Sequence, residues 1–285
     1  MALIENYNSP PTGTMERILR LMTEKKASDI YLSANSAALM RIEGECIPIN
    51  NQILPPDAPL NLLAEILPPE KIQELKDTRE LNIAWSIRGI GRFRISAMCQ
   101  RSTFAVVIRL IPHEIPDLPT LGLPASLAGM MLQKRGLILM VGATGSGKST
   151  SLAAMIDHRN ASMTGHILTI EDPIEYLFKS KRAVINQREV GADTESAEVA
   201  LKNALRQAPD VILIGEIRDR ETMSAAIAYA QTGHLCLATM HANNSYQALN
   251  RILSFYPVEV RATMLGDLAA ALRAIVSQRL LRTVT

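Results

Sequence analysis

Cysteine is scarce in this chain, with three among 285 residues, and Cys46, Cys99 and Cys236 stand alone and far apart. That spacing excludes a disulfide framework and a four-cysteine zinc site built within one chain, so the thiols are expected in or near the core. An excess of either charge is also lacking. Thirty basic and 28 acidic residues leave a net charge of +2, too balanced for a domain that grips nucleic acid through a basic stripe. A long apolar run is absent as well. None approaches the roughly 20 residues that cross a bilayer, Leu137 to Val141 being broken by Gly142, and Met1 to Thr14 has neither the basic start nor the apolar stretch of an export signal. These absences predict a cytoplasmic protein with no nucleic-acid partner. Internal repeats are absent too.

What remains is an ordinary globular composition, 47% hydrophobic and 20% charged, at a length that predicts two domains. Residues 1–14, rich in Asn, Pro, Ser and Thr, read as a flexible tail. The spacing of Met15, Ile18, Leu19 and Met22 predicts a helix. Ile30 to Leu32, Leu39 to Ile42 and Cys46 to Ile49 read as strands, with Glu43-Gly44 as a tight turn between the last two. Pro55-Pro56-Asp57 and Pro68-Pro69 introduce two short helices. Ile83 to Ser86, Arg92 to Cys99 and Phe104 to Leu110 then predict a three-stranded meander turning at Arg88-Gly89-Ile90-Gly91. Residues 15–111 are thus expected to form a mixed α+β domain. Four prolines, Pro112, Pro116, Pro119 and Pro124, follow, and 112–118 is taken as a linker. Over 119–285, apolar strands at Leu137 to Val141, Ile167 to Ile170, Val211 to Ile214 and Leu235 to Thr239 alternate with helices, the pattern of a parallel sheet covered on both faces. The fold class is therefore α/β, preceded by a smaller α+β domain.

Gly142-Ala143-Thr144-Gly145-Ser146-Gly147-Lys148-Ser149 fits G-x-x-x-x-G-K-[ST] at every position, after an apolar strand and before a helix. Glycines there let main-chain amides turn toward phosphates, Lys148 reaches the terminal phosphates, and the Ser149 hydroxyl can ligate Mg2+. Thr150 completes the expected ATP-binding set. Acids that position water or metal should stand at strand ends beside this loop. Glu171 follows Ile167 to Ile170, and Glu216 follows Val211 to Ile214 with Gly215 in the place where other P-loop proteins carry a magnesium-holding Asp. Either acid is a candidate base, and Glu216 is also a candidate metal-side ligand. His241 falls at the end of the last strand, as a contact to the terminal phosphate. His234, at its start, is more simply a hydrogen-bonded structural residue.

The four stretches GATGSGKS, ILTIEDPIEY, DVILIGEIRD and TGHLCLATMHANN resemble, in order, the signature boxes of the secretion-superfamily ATPases of type II secretion and type IV pili. QREVGADTESAEVALKNALRQAPDVILIGEIRDRETM resembles the PilT/PilU retraction branch, nearer its PilU side, over about Met15 to Arg282. The absence of a four-cysteine zinc motif agrees with that branch. This resemblance implies a PAS-like first domain, a RecA-like second domain and a hexameric ring with ATP bound between domains. It further implies that Arg94 and Arg109 neutralise charge on the transferred phosphoryl group, with Arg206 a weaker candidate. The implied work is pilus retraction and twitching motility. Its implied partners are further copies or a paralogous retraction ATPase, and the pilus inner-membrane platform protein, approached from the cytoplasm by peripheral contact only. Members of the family usually continue past Gln278-Arg279-Leu280-Leu281, so the sequence ending at Thr285 is read as a shortened copy or a fragment. The alternative reading is a nucleotide-binding accessory ring partner that depends on an active paralogue.

Overall fold

The computed structural model describes residues 13–112 and 114–281, and the chain parts into two compact units between residues 113 and 114. Most of the expected tail lies outside the described residues; of its last two positions, Gly13 caps a helix and Thr14 opens it.

The first unit runs α1 (Thr14–Glu24), β1 (Asp29–Ser33), β2 (Ala37–Ile42), β3 (Glu45–Ile53), α2 (Ala58–Ala64), α3 (Pro69–Thr78), β4 (Glu80–Ile87), β5 (Gly91–Gln100) and β6 (Thr103–Ile111). Glu43 and Gly44 both take positive φ, at 50° and 89°, as a two-residue hairpin turn that matches strand twist requires. The meander β4-β5-β6 is half of one antiparallel sheet ordered β3-β2-β1-β6-β5-β4. The join is β1 with β6, in which Asp29 faces Arg109 and Ser33 faces Ala105. Alternation decides the faces. Phe93, Ile95 and Ala97 point into the core with Ile30, Leu32 and Ile108, where Met15, Leu19 and Met22 of α1 and Leu63 and Leu75 of α2 and α3 meet them. The opposite face carries Arg94 and Arg109.

The second unit runs α4 (Ser126–Met131), β7 (Gly136–Val141), α5 (Lys148–Ser162), β8 (Gly165–Glu171), β9 (Ala183–Glu189), α6 (Ala197–Ala204), β10 (Val211–Ile214), α7 (Arg220–Gln231), β11 (Leu235–Met240), α8 (Ser245–Ser254), α9 (Arg261–Ala271) and β12 (Leu272–Ser277). Its sheet is parallel throughout, in the order β12-β7-β11-β10-β8-β9. Central strands are apolar on both faces because helices cover both. Leu137, Leu139, Ile212, Ile214, Cys236 and Ala238 pack toward α6 to α9, whereas Ile138, Met140, Val211, Leu213, Leu235 and Leu237 pack toward α4 and α5. Each fully buried Leu or Ile contributes roughly 1.5–3 kcal/mol, so a slip of register in this sheet would be costly. Two of the thiols depart from expectation. Cys236 is buried, but Cys46 and Cys99 are exposed: Cys46 stands beside Arg41 on the face of the sheet away from the core, and Cys99 follows the last buried residue of β5, Ala97, at the strand's end. Among the described residues no helix is long and apolar enough to cross a membrane.

Candidate active site

In a parallel sheet all strands end on the same edge. Here that edge gathers the segments after β7, β8, β10 and β11, through in-register pairs such as Met240 with Val141, Ile214 with Ala238 and Ile214 with Ile170. Gly142 to Lys148, Glu171, Glu216 and His241 are therefore brought to one edge, the place where open α/β sheets bind ligands.

Gly145 and Gly147 take φ of 77° and 86°, values open to glycine at little cost. Nothing stands within 4 Å of where a β-carbon on Gly145 would be, which leaves room for a ligand to approach the main chain. Three other helices of this unit have side-chain caps: Ser196 accepts from Val199 N, Asp219 from Thr222 N and Asn244 from Gln247 N. Helix α5, which begins at Lys148, has Gly147 as N-cap and no side-chain acceptor. Its first amides are thus left to an anion. Ser146 Oγ, buried in the same loop, has no hydrogen-bond partner. Lys148 Nζ donates to the carbonyls of Gly142 at 2.9 Å and Ala143 at 3.0 Å, lying over the loop. Burial lowers its pKa, and Glu216 and then Glu175 pull it back up.

Glu216 is held from two sides. Arg218 Nε donates to one carboxylate oxygen at 2.6 Å, and His241 Nε2 stands 3.0 Å from the other. Arg218 also reaches Asp172 at 3.3 Å. The residue before Glu216 explains why the acid is displaced by one position. A β-carbon on Gly215 would lie 3.2 Å from both Glu171 Cα and Ile170 O, so no acid fits there. Thr239 Oγ1 donates to the Gly215 carbonyl, which fixes the strand end.

Glu171 is different in kind. It is 8% exposed, and its Oε1 accepts from Thr169 Oγ1 at 2.6 Å and Gln187 Nε2 at 3.1 Å. Burial raises its pKa, against the lowering by these donors and by the main-chain amide of Glu175. Its carboxyl therefore braces the turn from Asp172 to Glu175. Glu175 itself is exposed and, with Glu216, is one of the two acids acting on Lys148. Reading strand tips alone misses Glu175. Its signal is the second glutamate of Glu171-Asp172-Pro173-Ile174-Glu175, four residues on.

The other predicted residues fall as follows. Thr150 Oγ1 pairs with Tyr176 OH at 2.9 Å. Ser149 is part-buried in the first turn of α5, where its hydroxyl is suited to a cation bound through phosphate oxygens. Among the described residues no group of three or more His, Cys, Asp or Glu could hold a metal ion. His234 Nδ1 stands 3.2 Å from the Tyr229 carbonyl, a structural contact at the start of β11. Arg206 donates to Asn203 Oδ1 at 3.4 Å, and among the described residues it touches none of the acids or loop residues of the site. Arg94 and Arg109, in the first unit, face each other across β5 and β6, and Arg109 Nε donates to buried Asp29 at 2.8 Å.

Three comparisons bear on this arrangement. The family model described as "Type II/IV secretion system protein" matches residues 7–285. Type IV pilus ATPase PilU of Pseudomonas aeruginosa is 50% identical over 268 residues, 94% of this chain and 70% of that protein. The pilus retraction motor PilT, solved with bound ADP, superposes with a TM-score of 0.89 at 41% identity, covering 94% of this chain and 78% of the other.

Proposed function

The chain belongs to the type II/IV secretion system protein family, in its PilT/PilU branch, and from that premise we propose that it is an ATP-hydrolysing motor subunit of the type IV pilus, driving retraction and twitching motility. The observation that carries this reading is the gathering of a phosphate loop, Lys148, Glu216, Glu175 and His241 at one sheet edge.

In this reading the main-chain amides from Gly145 to Ser149 cradle the phosphates, and Lys148 leaves the carbonyls of Gly142 and Ala143 for the terminal phosphates. Ser149 and Glu216 would hold Mg2+, which would supply charge neutralisation to the phosphates. His241, braced by Glu216, faces the terminal phosphate. We assign the water-orienting role to Glu175 in preference to Glu171. Burial favours a proton on Glu171 and its oxygen is already occupied, whereas Glu175 is open to water and senses the charge of Lys148. Arg94 and Arg109 would neutralise the transferred group. The working form is a ring of six copies, or of this chain with a paralogous retraction ATPase, at the cytoplasmic face of the inner membrane. There it meets the platform protein by peripheral contact, without nucleic acid.

Phosphate release by the full chain tests this. Lys148→Ala is expected to abolish ATP binding and release. Glu175→Gln is expected to lower kcat by about a hundredfold or more, the usual weight of a general base, while ADP affinity is kept. Wild-type release equal to that of Lys148→Ala would leave only the accessory ring partner. A selective loss in Glu171→Gln, with Glu175→Gln active, would return the base to Glu171.

A further inference from the structure

The segment after β12 lies against the phosphate loop. Strand β12 runs parallel to β7 with Ser277 opposite Val141, and Gln278 N extends the ladder by donating to Val141 O at 2.9 Å. This brings the Gln278 main chain onto Gly142, where a β-carbon would stand 2.5 Å from the Gln278 carbonyl. The side chain continues along the loop. Its Oε1 accepts from Ser151 Oγ at 2.8 Å, and Ser151 is 1% exposed in the first turns of α5. That bond fixes the plane of the amide and turns Nε2 to Gly147, 3.0 Å from where a β-carbon would be. One residue thus touches both the first and the last glycine of the loop and the helix that follows. Its neighbour Ser277 donates to Asn243 O at 3.1 Å, two residues from His241.

We propose that Gln278 is a positioning residue of the phosphate loop: acting through Gly142, Gly147 and Ser151, it sets nucleotide affinity without touching the nucleotide. This rests on the ATP-binding reading above. The loop binds phosphate through amides whose directions depend on the dihedral angles of Gly142 to Gly147, and an anchor at both ends keeps those directions when no ligand is present. Such preorganisation acts on binding and leaves the acids at the other strand ends unchanged.

The test uses the full chain, with a fluorescent ADP analogue for affinity and ATP turnover for kinetics. Gln278→Ala is expected to weaken ADP binding about three- to tenfold, the range one lost hydrogen bond spans. KM for ATP should rise by the same factor, with kcat within twofold. A merely structural role would lower the ligand-free melting temperature and leave this KM-against-kcat split unmoved. Gln278→Glu keeps the acceptor for Ser151, removes the amide donor and sets a negative charge beside the loop, so it should bind more weakly than Gln278→Ala. Ser151→Ala should lose affinity in the same direction, and joining it to Gln278→Ala should add nothing further. ADP affinity within twofold of wild type in both Gln278→Ala and Ser151→Ala overturns the proposal. Should Gln278→Ala fail to fold, Ser151→Ala alone decides. A wild-type chain that binds ADP no better than Lys148→Ala overturns the underlying reading, and this one with it.

Discussion

Glu171 has a carboxyl whose pKa burial lifts above its ordinary value of 4.5, and this ties stability to pH. Below 4.5 the group is protonated whether the chain is folded or not, and its stabilising contribution is fully present. As pH climbs through the raised folded value, the unfolded chain releases its proton more readily, and the contribution is lost. Glu171→Gln has no proton to release. The melting temperature of wild type relative to Glu171→Gln is therefore expected to fall as pH rises above 4.5, and a difference that stays constant as pH rises would count against this account. At this scale much of the site was legible. Lys148 follows from the phosphate-loop pattern, and Glu171, Glu216 and His241 from one rule, that ligand-binding residues cluster at strand ends. That rule stops at the strand tip. It could not reach Glu175, which a short turn carries into the electrostatic range of Lys148, nor Gln278, whose partners are 127 residues away in sequence at Ser151 and beyond.

Among elements, legibility followed burial. Strands β7, β8, β10 and β11 are apolar on both faces and announce themselves. Edge strand β9, Ala183–Glu189, alternates Val184 and Asn186 outward with partly covered residues and reads as polar chain. Strand β12 begins at Leu272 directly after α9 ends at Ala271, with no turn residues to mark the change of period. The pairing of β1 with β6 depends on contacts about 80 residues apart, which no local pattern encodes. Tight strand packing also yields a prediction at Gly215. A methyl group there would meet the main chain of β8 at 3.2 Å, and a central strand cannot move aside. Gly215→Ala is expected to destabilise the chain by about 1–3 kcal/mol, lowering the melting temperature by about 3–10 °C in a thermal scan.

For the molecule as a whole, the proposed function asks the first unit for cations. Arg94 and Arg109 occupy the exposed face of its sheet, so the loss of Arg94 should leave the core intact, whereas the loss of Arg109 also takes the donor from buried Asp29 and should lower the melting temperature. Arg94→Ala and Arg109→Ala are expected to lower kcat by about a thousandfold, as loss of an arginine finger does, with unchanged far-ultraviolet circular dichroism. Turnover equal to wild type in both would release these residues from the mechanism. The two units also differ in their thiols. Cys46 and Cys99, both in the first, are open to solvent, while Cys236 is enclosed in the second, its thiol pushed up to about 12. A maleimide dye at neutral pH consequently tags one half of the chain and spares the other. The native sequence thus carries ready handles for fixing a probe or a surface to its first unit alone.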